Sequence, residues 1–216
     1  MSDRRERLRS AHLYLVCADE PDDFLASALR AGVDIVQLRV KEAGDDVILA
    51  AGRRFAAAAA EHGALFILND RPDLVAAVGA DGVHVGQDDT AAAEARAIVG
   101  PERLVGLSTH SPEQISDAAR VPVDYIGVGP IHATPTKPGR PAVGLELVRY
   151  ANEHATVPFF AIGGIAPANV AAVRHAGADR IAVVRALTEA PDPGAVARAL
   201  RASIIGAGEV RVGSAH

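Results

Sequence analysis

LYLVCADEPDD, residues 13–23, is an apolar run that turns directly into acids and proline. Leu13–Ala18 suits a buried strand, and Pro21-Asp22-Asp23 puts proline and two carboxylates where a helix N-terminus accepts them. A doubly wound dinucleotide-binding sheet carries a glycine-rich loop at its first strand-to-helix junction, whereas residues 17–23 (CADEPDD) carry no glycine. The same strand-then-helix unit recurs at a spacing of roughly two dozen residues. Its further strand candidates are Ile35–Val40, Leu65–Asn69, Gly82–Gly86, Leu104–Ser108, Tyr125–Gly129, Phe159–Gly163 and Arg180–Val184, with alanine-rich helical stretches between them. Ser111-Pro112-Glu113, Ala166-Pro167-Ala168-Asn169 and Pro191–Pro193 open later helices, and Ala31-Gly32, Gly79-Ala80 and Ala176-Gly177 read as helix ends. Eight such units with right-handed crossovers close most economically into a single-domain (β/α)8 TIM barrel. The barrel with a short N-terminal helical extension is expected over residues 1–205, and residues 206–216 form a loosely ordered tail.

Composition narrows the function. With 49% hydrophobic residues among 216, the chain can bury one sizeable core, and only eight aromatics leave that core mostly to Val, Leu, Ile and Ala. A net charge of −5 gives no reason to expect nucleic acid or an anionic membrane as a partner. The single cysteine, Cys17, has no internal disulfide partner and reads as a small core residue. The N-terminal MSDRRERLRS is basic without the apolar stretch of a signal peptide, so a soluble, cytoplasmic protein is expected. Its oligomeric state stays open, a homo-oligomer included. Of 22 basic residues only Lys41 and Lys137 are lysine, which draws attention to places where an ammonium group itself is wanted.

Polar residues interrupt the apolar strands at particular points. In Ile35–Lys41, strand alternation puts Gln37, Arg39 and Lys41 on one face and Val36, Leu38 and Val40 on the other. The polar set would then point into the barrel, where two cations call for an anion; a phosphate or diphosphate suits Arg with Lys, while an internal ion pair is the structural alternative. Asp70 and Asp88-Asp89 stand at or just past strand ends, on the face where barrel enzymes do chemistry. Asp70 with one of the two later acids could hold a divalent cation; hard oxygen ligands beside phosphate describe Mg²⁺, and helix capping is the alternative. The loop Gly129–Arg140 offers Thr134, Thr136 and Lys137 as donors to phosphate oxygens. Gly163-Gly164 and the Val184-Arg185 strand end suit a second phosphate site, or simply close packing. His84, His110 and His132 lie at strand ends without metal-ligand spacing and read as satisfied core or rim histidines.

Taken in order, QLRVK at 37–41, ND at 69–70, HVGQDD at 84–89, GLSTH at 106–110, GPIHATPTK at 129–137 and AIGGI at 161–165 resemble the thiamine-phosphate synthase family. The resemblance spans Leu13 to about Leu187. It implies an Mg²⁺-assisted transferase that joins a pyrimidine diphosphate to a thiazole phosphate. On this resemblance Gln37, Arg39, Lys41, Asn69 and Lys137 hold the pyrimidine diphosphate, with Ser108 on the pyrimidine side. Arg39, Lys41 and Lys137 would be the catalytic cations, and Asp70 and Asp89 the metal ligands. Thr134, Thr136, Gly164 and the backbone at Val184-Arg185 would receive the thiazole phosphate. Two positions depart from the family pattern: Val40 stands where glutamate is usual, on the helix-facing side, and Arg185 where serine is usual. A thiazole tautomerase, a non-catalytic barrel binding thiazole phosphate and a sugar-phosphate epimerase are the competing readings, none of which needs both the diphosphate grip and the metal acids.

Overall fold

The computed structural model describes residues 4–133 and 141–206. Eight parallel strands close into a barrel in sequence order: β1 (Leu13–Cys17), β2 (Ile35–Leu38), β3 (Leu65–Asn69), β4 (Gly82–Val85), β5 (Leu104–Thr109), β6 (Tyr125–Val128), β7 (Phe159–Ile162) and β8 (Ile181–Val183). β1 pairs with both β2 and β8, which removes the sheet edges. A first helix, α1 (Arg4–Ser10), precedes the barrel. Around it lie α2 (Asp22–Arg30), α3 (Asp45–Glu61), α4 (Val75–Val78), α5 (Ala92–Val99), α6 (Pro112–Asp117), α7 (Gly144–His154), α8 (Val170–His175), α9 (Arg185–Thr188) and α10 (Pro193–Ile205). The (β/α)8 barrel expected from the strand spacing is the observed fold. Ser111 caps α6 by accepting from Gln114 N, and Asp192 caps α10 by accepting from Ala195 N. No helix among the described residues is long and apolar enough to cross a membrane.

Strand alternation divides the core in two. Leu13, Leu15, Val36, Leu38, Phe66, Leu68, Val83, Val85, Ile126 and Val128 face outward onto the helices, in one large apolar cluster with Cys17. The intervening residues form a smaller inner cluster that includes Tyr14, Ile35, Leu65, Ile67, Leu104, Tyr125 and Phe160, joined by Leu8 of α1. The outer layer is mostly aliphatic, as composition suggested, with Phe55, Phe66 and Phe159 among it. The inside is mostly aliphatic too, but there Tyr14, Tyr125 and Phe160 meet edge-to-face with ring centroids 5.3–6.0 Å apart.

The N-terminal end of the barrel is sealed by a pattern that sequence reading leaves unassigned. Asp34, Asp81 and Asp124 immediately precede β2, β4 and β6. Each carboxylate accepts backbone N–H from the start of the preceding odd strand: Leu13, Phe66 and Val105 at 3.0, 3.0 and 2.8 Å. Each is also paired with arginine: Arg201 on Asp34, Arg4 on Asp81, and Arg5 with Arg96 on Asp124. Two of these arginines come from α1, whose Leu8 plugs the inner cluster, so the basic N-terminus is a structural lid on the barrel floor. The Asp124 side chain is only 9% exposed. Asp124→Ala therefore leaves Arg96 and the Val105 N–H without their partner, at a cost of about 3 kcal/mol or more. For a chain of this size that is roughly 6–12 °C in Tm by thermal unfolding; a change under a degree would remove the pair from the stability account.

Candidate active site

The strands' C-terminal ends surround a cavity of about 610 Å³, a volume suited to small substrates. Its wall is built from Gln37 in β2 with Arg39 and Lys41 just past it, Asn69 at the end of β3 with Asp70 after it, and His84 in β4 with Gly86–Asp89 after it. Ser108 and His110, Gly129-Pro130, Ile162–Ala166 and Val183–Ala186 complete it. The interior tyrosines and Phe160 make its floor.

β2 ends at Leu38, earlier than the sequence suggests. Only Gln37 of the three polar residues is a buried strand residue, so Arg39 and Lys41 are not two cations inside the barrel. Arg39 still holds register through its N–H to Cys17 O at 2.8 Å, after which the chain peels away and Glu42 takes a left-handed φ of 64°. Lys41 sits on the rim with its side chain 55% exposed and its Nζ 3.8 Å from Asp70 Oδ2. At that distance and exposure the pair contributes little by itself. Among the described residues Arg39 has no carboxylate within ion-pair reach. Val40 packs against the outer cluster, as strand alternation indicated.

The two carboxylates do meet. Asp70, with a left-handed φ of 59°, accepts from Asn69 Nδ2 at 2.5 Å. Burial, then the charge of Asp89 and a hydrogen bond shared with it, push the Asp70 carboxyl above its usual range, against the opposing pull of Lys41 and Asn69. Asp89 Oδ2 in turn accepts from Gly86 N at 2.9 Å. Neither acid caps a helix: the N-cap before Pro72–Leu74 is Arg71, and that of α5 is Ala91. A half-buried carboxylate, Asp70, held against an exposed one, Asp89, is what a divalent cation would relieve, and oxygen ligands suit Mg²⁺. No group of three or more His, Cys, Asp or Glu suited to a metal occurs among the described residues, so a cation here would take its remaining ligands from substrate and water.

Across the cavity, Gly163 and Gly164 have φ values of 109° and 61°. A Cβ on either would lie within 3 Å of Pro130 or His132, so close packing and a left-handed backbone both demand glycine. Asn169 braces this turn, donating to Gly164 O and accepting from Ala166 N. Arg185 begins α9 beside it, 3.7 Å from Glu189.

His84 hydrogen-bonds with Ser108 Oγ and the Tyr125 hydroxyl, and His110 Nδ1 with Gly129 O, so both are satisfied and both line the cavity. His132 is not satisfied: its buried Nε2 has no hydrogen-bond partner among the described residues. Thr134, Thr136 and Lys137 lie outside the described residues, as does the tail from residue 207 onward. Sequence reading passed over Tyr14 and Tyr125; the alternation that puts Gln37 inward does the same for them, and was the available signal.

A profile of the family described as thiamine monophosphate synthase matches residues 13–187. The chain belongs to the thiamine monophosphate synthase family. It is 50% identical over 202 residues to a thiamine-phosphate synthase of Thermus thermophilus, covering 90% of this chain and 97% of that protein. It is 52% identical over 194 residues to the thiamine-phosphate synthase of Gloeobacter violaceus, covering 89% of this chain but 57% of that longer protein. Among solved structures it resembles thiamine phosphate pyrophosphorylase from Pyrococcus furiosus, with a TM-score of 0.84 and 31% identity over 94% of this chain and 98% of that one. Every residue lining the cavity, from Tyr14 to Ala186, falls inside the segment matched to the thiamine monophosphate synthase family. α1 and α10 lie outside it, and neither contributes a residue to the cavity.

Proposed function

We propose that this chain condenses hydroxymethylpyrimidine diphosphate with the phosphate ester of a hydroxyethylthiazole, giving thiamine phosphate and free diphosphate. The observation that carries this reading is the Asp70–Asp89 pair beside Lys41 and Arg39 at one end of the cavity, with the Gly163-Gly164 turn and Arg185 at another. Such a site can hold two phosphorylated molecules at once.

The bond between the pyrimidine methylene carbon and the diphosphate oxygen breaks, and the electron pair leaves with diphosphate. The electron-rich aminopyrimidine spreads the positive charge left on the methylene. The thiazole nitrogen then donates its lone pair to that carbon and becomes the thiazolium nitrogen. No protein nucleophile is required, and negative charge on the departing diphosphate is what the site must stabilise. Arg39 and Lys41 bind that group, Asn69 holds Asp70 in place, and Gln37 and Ser108 orient the pyrimidine ring. Mg²⁺ held by Asp70 and Asp89 would supply further charge neutralisation at the diphosphate. The backbone at Gly164 and Val184-Arg185 would receive the thiazole phosphate, a role in which the Arg185 guanidinium adds a cation. The resemblance assigns Lys137 to the diphosphate and Thr134 and Thr136 to the thiazole phosphate.

The test is diphosphate release by purified protein with pyrimidine diphosphate, thiazole phosphate and Mg²⁺, each also omitted in turn. Release that requires all three, with thiamine phosphate formed in equal amount, is expected. No release from the complete mixture would overturn the reading and favour a barrel that binds the thiazole phosphate without transfer.

A further inference from the structure

A line of polar groups crosses the cavity floor where apolar packing alone would not put one. Gln37 Nε2 donates to the Tyr14 hydroxyl at 2.5 Å, and that hydroxyl lies 3.0 Å from the Tyr125 hydroxyl. The Tyr125 hydroxyl is 3.2 Å from His84 Nδ1, and His84 Nε2 is 2.9 Å from Ser108 Oγ. β2, β1, β6, β4 and β5 contribute one member each in that order, and both ends of the line face the cavity. Space for it exists because β5 carries Gly106 at its centre. A Cβ there would lie 2.2 Å from Tyr125 Cζ, 2.5 Å from the phenol oxygen and 2.6 Å from His84 Nδ1.

Counting hydrogens gives the line a direction. A phenol owns one hydrogen, so Tyr14, having accepted from Gln37, passes its own to Tyr125. Tyr125 passes its hydrogen to His84 Nδ1. With Nδ1 accepting, the neutral imidazole carries its hydrogen on Nε2 and donates to Ser108 Oγ. The Ser108 hydroxyl hydrogen is then left for the cavity, and at the other end Gln37 Oε1 is left as an acceptor. The direction is set by the Gln37 amide, whose nitrogen faces Tyr14; with the carbonyl turned there the line would run the other way, with hydrogen on His84 Nδ1. Tyr14 and Tyr125 are 2% and 0% exposed, and burial holds both phenols far above their usual range, so neither loses its hydrogen.

We propose that Tyr14, Tyr125 and His84 are positioning residues whose one-way line presents an acceptor at Gln37 and a donor at Ser108 to the substrate ring. This rests on the pyrimidine reading of the cavity. The arrangement selects a ring that offers an exocyclic N–H to Gln37 and an unprotonated ring nitrogen to Ser108, as an aminopyrimidine does. The corresponding oxopyrimidine offers a carbonyl where the amine stood, and so meets the Gln37 acceptor with another acceptor.

Two measurements test this, one of them independent of turnover. Nitrogen-15 NMR of histidine-labelled protein, with His84 assigned by comparison with His84→Gln, should show hydrogen on Nε2 and none on Nδ1. In Tyr125→Phe the His84 signals should move toward a tautomer mixture. Second, kcat/KM for the aminopyrimidine diphosphate relative to its oxo analogue should fall about tenfold or more in Tyr14→Phe, carried by KM, because the freed Gln37 amide can turn over. Both substitutions keep the ring, so the packing with Phe160 survives and thermal unfolding reports that the fold is retained. A parent protein with hydrogen on His84 Nδ1, or an unchanged substrate ratio in both phenylalanine variants, would overturn the proposal. If the parent turns over neither diphosphate, it is the proposed reaction that fails, and the tautomer measurement decides the line by itself.

Discussion

Arg39→Ala is expected to retain its fold and lose about 10²–10³-fold in kcat. Arg39 borders the cavity just past β2, where its side chain meets no carboxylate among the described residues, so its charge is available to an anion. A guanidinium offers a fixed fork of donors to diphosphate oxygens, and a preorganised donor of this kind counts for about 3 kcal/mol in the transition state. Loss of the side chain should leave unfolding unchanged, because the backbone N–H of residue 39, which Ala keeps, makes the hydrogen bond to Cys17 O. Arg39→Lys should recover only part of the rate, since an ammonium keeps the charge and forfeits the bidentate geometry. Steady-state kinetics with diphosphate release decides the matter: turnover within a few-fold of the parent would remove Arg39 from the reaction.

Asp70→Asn should give the second large effect, and it should divide activity from stability. The Asp70 carboxyl is held above its usual range chiefly by burial and then by Asp89, so the folded state carries unfavourable energy whenever both acids are ionised. The sign follows from linkage: a carboxyl raised in the folded state costs stability as pH rises through its titration. An amide at this position removes that cost, so at neutral pH and without divalent cations the variant should unfold at a higher temperature than the parent. With Mg²⁺ the order should invert. A cation present at 100 times its Kd stabilises the parent by about 2.7 kcal/mol, roughly 5–11 °C in Tm, and should do little for the variant. Turnover should fall to background. Equal Mg²⁺ shifts in parent and variant would place the cation elsewhere; no shift in the parent would argue against a resident cation.

Short aliphatic runs with period-two alternation, spaced by alanine-rich helices, carry the barrel in their order alone, because which face a strand residue takes depends on nothing beyond its own neighbours. For the same reason the position of Asp70 and Asp89 past strand ends, the outward direction of Val40, and the core role of Cys17 could be read from the chain. The end of β2 could not. Whether residues 39–41 continue the ladder depends on whether β1 and β3 still lie alongside, and β1 stops at Cys17 opposite Leu38. That is why Lys41 reaches the rim and Arg39 and Lys41 are not cations of the barrel interior.

What closure of the barrel decided is the set of meetings between distant residues. α1 arginines reach Asp81 and Asp124 across 77 and 119 positions, turning a basic N-terminus into a seal. Tyr14 and Tyr125 touch across 111 positions, and register sets Gly106 beside Tyr125, so a missing side chain on one strand makes room for a ring on the next. The sequence by itself determined the elements, their faces and the residue types at the strand ends, because those follow from local periodicity. Only the closed barrel, through strand register and the inward convergence of eight strands, determined which of those residues share the cavity and which hydrogen goes to which acceptor.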